Sequence, residues 1–230
     1  MASDFVLFGP VHLAIMAAVP ASAAVLARLV RGRERLARQA GRALGCALLI
    51  NELTWYVYKV RVEGVRFPEG LPLQFCDFAL WSTILALLTL KPSIYEIAYF
   101  AGLAGSSMAV ITPDLWAPAL SYPTFYFFLA HAGLASSVLY MTWSGLLRPR
   151  PGSLWRALIA ANLFAAVAGA FNTIFHTNYM FLCRKPASFS LLDYLGPWPV
   201  YLFAGEALAL VLFLLLGLPF RRRLEGAGGS

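Results

Sequence analysis

An all-α, polytopic membrane protein built as a bundle of seven transmembrane helices is the fold class this chain predicts, and three observations carry it. Its 230 residues are 60% hydrophobic and only 13% charged, with mean hydropathy +0.70; a soluble domain carries roughly 25% charge. Seven apolar stretches approach the roughly 20 residues needed to cross about 30 Å of hydrocarbon. The basic residues fall in the short links between them, mostly on one side.

The first stretch, Phe5–Val30, runs on to full spanning length, which sets it apart from a cleavable signal. Ala40–Val60 follows after a basic link, and Leu73–Leu90 after a link punctuated by Pro68 and Pro72. Pro92 precedes the fourth, Ser93–Thr112, while Pro113 and Pro118 precede the fifth, Thr124–Leu147. Pro149 and Pro151 separate that from Leu154–Thr177, and Gly196 and Pro197 introduce Trp198–Leu218. No internal repeat is visible, so residues 1–223 read as one transmembrane domain and 224–230 as a flexible C-terminal tail.

The net charge of +7 does not indicate a nucleic-acid partner, because the basic residues orient the chain instead. Arg28, Arg31, Arg33, Arg35, Arg38 and Arg42 surround the first link. Lys91, then Arg148, Arg150 and Arg156, then Arg221, Arg222 and Arg223 mark the third link, the fifth link and the C-terminus. Those links are cytoplasmic by the positive-inside rule. Lys59, Arg61, Arg66, Arg184 and Lys185 lie on the other side, diluted by Glu63, Glu69, Asp114 and Asp193. The N-terminus is therefore expected outside and the C-terminus in the cytoplasm, in an integral membrane protein.

With that topology the embedded polar residues gather in the outer half. His12 lies about two turns into the first span, and Asn51 and Glu52 sit in the outer half of the second. Cys76 and Asp77 occupy the first turns of the third span, and His131 lies about two turns into the fifth. Asn172, His176 and Asn178 cluster at the end of the sixth. Glu206 lies deeper, and Glu96 is near the cytoplasmic side. Ionisable groups in hydrocarbon are costly, so such a layer is a candidate site.

At 1.5 Å per residue Cys76 and His131 differ in depth by only a few ångströms. Cys76 is near a helix N-terminus, whose dipole favours a thiolate, and a histidine at that depth can take the proton. Spacing alone equally allows a cysteine filling apolar space and a histidine bonding a carbonyl. A second constellation makes His12, His131 and His176 the ligands of a catalytic zinc, with Glu52 or Asp77 as base. No HxxxH or HExxH places two such ligands on one helix. A third possibility is a small-molecule transporter, although the repeated halves common in transporters are missing. Cys46, Cys76 and Cys183 form no CxxC or zinc-knuckle spacing, and neither a metal nor another cofactor is expected.

Four strings carry a family likeness: Phe8-Gly-Pro-Val-His12, Leu71-Pro-Leu-Gln-Phe-Cys-Asp77, Asn178-Tyr-Met-Phe-Leu-Cys-Arg-Lys-Pro186 and Leu195-Gly-Pro-Trp-Pro-Val-Tyr201. In this order and spacing the chain resembles the YwaF-type bacterial integral membrane proteins over nearly its whole length. That family looks related to an animal multispanning protein implicated as a cysteine-dependent ether-phospholipid acyltransferase. The resemblance implies a nucleophile at Cys76 and a general base at His131. It implies a lipid acyltransferase or lipid hydrolase working through a thioester, with phospholipid or lysophospholipid as substrate. His12, Asn51, Asp77, Asn172, His176 and Asn178 are then candidates for binding substrate, orienting His131 or stabilising an oxyanion.

Overall fold

Helix boundaries follow the local chemistry of the chain, as the computed structural model, which describes residues 5–186 and 191–220, makes plain. Helix α1 (Pro10–Leu29) starts on a proline at its first position, where the missing N–H costs nothing. Phe8 takes a left-handed φ of 57° just before it, so the helix starts five residues later than the hydropathy of Phe5–Val30 predicts. Helix α2 (Glu34–Arg61) begins before the apolar stretch, because Glu34 in its first turn complements the dipole and binds Arg38 at 2.5 Å. Helix α3 (Phe75–Thr89) opens with a capping box. There the Gln74 backbone N–H donates to Asp77 Oδ2 at 2.9 Å, and the Gln74 side chain accepts from the Asp77 N–H.

Helix α4 (Pro92–Ile111) contains a π turn over Ala98–Gly102. Helices α5 (Tyr122–Trp143), α6 (Ser153–Phe175) and α7 (Val200–Gly217) complete the set, with single 3₁₀ turns at Tyr179–Phe181, Leu191–Leu195 and Leu218–Phe220. Among the described residues there is no strand. Arg221, Arg222, Arg223 and the expected tail 224–230 lie outside them.

Each of the seven apolar stretches thus becomes a helix, and α1, α4, α5, α6 and α7 are long and apolar enough to cross a membrane. Helix α3 has 15 residues, about 22 Å of rise, and α2 carries charge at both ends. The core is an inner layer of α3, α4 and α5, where Leu87, Tyr95, Phe100, Leu134, Tyr140 and Met141 are almost fully buried. Helix α1 packs along α5, and α6 packs on the first half of α4. The outward faces of α1, α6 and α7 expose Val25, Leu29, Leu163, Val167, Phe203 and Leu214. An apolar outer surface of that extent suits hydrocarbon.

Glu96, singled out by its depth, is fully buried and held by two arginines. Its carboxylate accepts from Arg150 Nε at 2.7 Å and from Arg156 Nε at 2.8 Å and Nη2 at 2.9 Å. This clamp joins α4 to the α5–α6 link and to the start of α6. At the opposite end of the bundle, where α1, α3, α5 and α7 begin, lies Cys76, with His131 more than two turns into α5.

Candidate functional site

Cys76 is the second residue of α3, one position before the Asp77 that caps it. Its side chain is exposed on one side. On the other, Cys76, Asp77 and Leu80 line a small cavity between α3 and α5. Tyr126, Ala130, His131 and Leu134 close it from α5. The volume is about 20 Å³, enough for one water. The two residues matched by depth in the sequence therefore share a cavity.

His131 is held by its own helix. Its Nδ1 lies 2.8 Å from the Phe127 carbonyl, which can only accept, so Nδ1 carries the ring proton. Nε2 is left with the lone pair, the form a general base requires. The Phe127 ring packs against the imidazole at 4.3 Å between centroids and further restricts its tilt. Asp77 spends one oxygen on the capping box, so it fixes the start of α3 and the placement of Cys76.

Behind the cavity stands a pair that sequence reasoning missed as a unit. Tyr126 donates its hydroxyl to Glu52 Oε2 at 2.7 Å. Glu52 is fully buried and its Oε1 has no hydrogen-bond partner. The signal was present in spacing: Ala37, Gly41, Gly45, Leu48, Glu52 and Trp55 form one buried stripe of α2, which aims the carboxylate at the core. Asn51, next to it, is half-buried with an unpartnered Nδ2 and does not line the cavity.

The remaining candidates lie elsewhere. His12 is buried and already committed at both ring nitrogens: the Phe8 N–H donates to Nδ1 at 2.9 Å, and Nε2–H donates to the Val110 carbonyl at 2.7 Å. It ties α1 to the end of α4, and His131 is oriented by Phe127 instead. His176 is exposed, with a left-handed φ of 55°, where α6 ends. The three histidines are therefore not brought together. Among the described residues no group of three His, Cys, Asp or Glu side chains could hold a metal, which corrects the three-histidine zinc alternative.

Asn172 is a buried anchor. Its Oδ1 accepts from Thr177 Oγ1 and from the Tyr179 N–H, both at 2.8 Å, and its Nδ2 donates to the Tyr179 carbonyl at 3.0 Å. Asn178 binds the Cys183 and Arg184 N–H groups and the Arg184 carbonyl. The Asn-Tyr-Met string is thus a self-bonded loop, tied to α3 where the Met180 N–H donates to Gln74 Oε1 at 2.9 Å. Asn172→Ala strands two buried donors and an acceptor and should cost about 2 kcal/mol. Faster tryptic cleavage after Arg184 is the expected readout; an unchanged rate would deny Asn172 this anchoring role.

Comparison with known proteins adds one relative and one family. The chain is 28% identical over 223 residues to an uncharacterized protein of Treponema pallidum (strain Nichols), an alignment covering 96% of this chain and 92% of that one. No solved structure matches. Residues 7–217 match the TMEM164 family, taking in all seven helices with Cys76 and His131 among them, and the chain belongs to that family.

Proposed function

We propose that this protein is a membrane-embedded lipid acyltransferase or lipid hydrolase, with Cys76 as nucleophile and His131 as general base and acid. The observation that carries this reading is the shared cavity of Cys76 and His131, with the His131 tautomer set so that Nε2 is the free base. The YwaF-type resemblance points to the same two residues. All seven helices cross the bilayer in this reading, with the N-terminus outside, the C-terminus cytoplasmic and the site in the outer leaflet of a bacterial plasma membrane. The arginine-rich first link and the Arg150–Arg156 link, at the end remote from Cys76, support that orientation.

Chemically, His131 Nε2 takes the Cys76 thiol proton as the sulfur attacks the ester carbonyl of an acyl lipid. The tetrahedral intermediate collapses, the carbon–oxygen bond breaks, and the departing alkoxide takes the proton from His131. An acyl thioester remains on Cys76. A lysophospholipid hydroxyl or a water then gives its proton to His131 and attacks the thioester; the carbon–sulfur bond breaks and the departing thiolate takes the proton back from His131. The dipole of α3 favours negative charge at its first turn, where the thiolate forms.

A lipid-like, thiol-reactive acyl probe applied to detergent-purified protein tests this directly. Mass spectrometry should place the adduct on Cys76 in preference to Cys46 and Cys183, with labelling strongly reduced in His131→Ala. All three cysteines are exposed, so access alone does not predict that selectivity. Equal labelling of the three, insensitive to His131, would sink the proposed dyad.

A further inference from the structure

Beside the cavity, at the same end of the bundle, is a separate cup of about 210 Å³ with Gln74 and Tyr179 in its lining. Most of its neutral polar groups are already used. Gln74 Oε1 accepts from Met180, the Tyr179 hydroxyl donates to the Pro68 carbonyl at 2.7 Å, and Thr177 donates to Asn172. Three ionisable side chains remain to meet a ligand: Glu69, His176 and Arg184, all exposed. None belongs to an ion pair among the described residues, although opposite charges border one cup.

The backbone around the cup is unusual. His176, Met180 and Phe181 all have left-handed φ values, 55°, 56° and 53°, without being glycine. Such conformations are costly for a residue with a Cβ and persist only where the surroundings over-determine them, most often at functional sites. The surroundings here do so. The Tyr201 hydroxyl donates to the Phe181 carbonyl, Trp198 Nε1 to the Leu182 carbonyl at 3.1 Å, and Asn172 grips Tyr179. A passive link needs no such bracing.

We propose that this cup binds the headgroup of a zwitterionic glycerophospholipid, with Arg184 and His176 taking the phosphate and Glu69 the ammonium. Guanidinium and imidazole are donors suited to phosphate oxygens, and a carboxylate suits an ammonium. The cup is too small for a whole lipid and opens beside α3. Gln74 in the cup and Cys76 in the cavity are two residues apart, less than one turn of about 5.4 Å pitch. A phosphate seated in the cup brings the glycerol esters of the same molecule toward the Cys76 sulfur. The assignment rests on the proposed enzyme for the fate of that ester, and on the cup alone for binding.

The test is titration calorimetry on full-length protein in detergent, with Cys76 intact and as Cys76→Ala. The probes are dihexanoyl-phosphatidylethanolamine, dihexanoyl-phosphatidylglycerol and inorganic phosphate. Phosphatidylethanolamine should bind best; Arg184→Gln should weaken both lipids about tenfold, and Glu69→Gln only the ethanolamine lipid, to the level of the glycerol one. Equal affinities in wild type and both variants would overturn the site. Inorganic phosphate binding as tightly as the ethanolamine lipid would overturn the headgroup assignment in favour of a free-anion site. Retained binding with an acyl probe that does not select Cys76 would remove the thioester chemistry and leave the cup intact, so the two failures are distinguishable.

Discussion

His131→Ala protein is expected to transfer or release acyl chains from phospholipid about 10²- to 10⁴-fold more slowly than wild type, the usual contribution of a positioned general base. The imidazole is not a packing element that alanine merely trims. Its Nδ1–H is fixed on the Phe127 carbonyl, so rotating the ring to present the other nitrogen would break that bond. Loss of the base leaves thiol ionisation to the solvent, and the rate of the variant should therefore climb with pH more steeply than that of wild type. Radiolabelled acyl transfer across a pH series measures both features. Full activity at neutral pH in His131→Ala would exclude His131 as the base, whatever the state of Cys76.

The largest effect on stability is expected at the other end of the molecule. Glu96→Ala removes a fully buried carboxylate from between two guanidinium groups and leaves both without their partner. Breaking a buried ion pair costs about 3–5 kcal/mol, and Arg150 and Arg156 are about half exposed, so water recovers part of this. A loss of about 2–3 kcal/mol follows, or roughly 5–10 °C in the thermal midpoint of detergent-purified protein. Arg150→Ala should cost less, because Arg156 still holds Glu96 through two nitrogens. An unchanged midpoint for Glu96→Ala would remove the clamp from any account of how α4, α5 and α6 stay together.

Position along a helix is legible in this sequence; rotation about the helix axis is much less so. Hydropathy locates all seven helices, and the similar depth of Cys76 and His131 translates into a shared cavity because α3 and α5 pack on each other. Depth also groups His12 with them, yet its ring bonds Phe8 and Val110 and serves the joint between α1 and α4. No count of residues along α1 separates these outcomes. The loop contacts of Asn172 and Asn178 were hidden for a different reason. Their side chains satisfy backbone groups of a loop whose path, through left-handed Met180 and Phe181, has no glycine to announce it. Glu52 was legible in principle, since it continues a buried stripe, but its partner Tyr126 is set by the packing of α2 against α5.

The π turn of α4 has a consequence for the chain's tolerance of insertion and deletion. Before the turn, α4 packs on α3 and α6; after it, α4 packs on α5. Within it, Gly102 lies so close to Leu134, a wall of the Cys76 cavity, that a Cβ there would meet Leu134 Cδ2 at 2.8 Å. A π turn is in effect one extra residue in an α-helix. The wider winding absorbs that residue, so the segments on either side keep nearly the phase of a regular helix one residue shorter. Regular α winding with the residue retained would instead swing everything after the turn by about 100°, turning the Val110 carbonyl from His12 and bringing another side chain against Leu134. A helix that reads as one continuous apolar segment therefore carries a spare residue in its middle, and a single-codon deletion inside the turn is the one this helix is best placed to tolerate, whereas a deletion on either side of it shifts the register of the core.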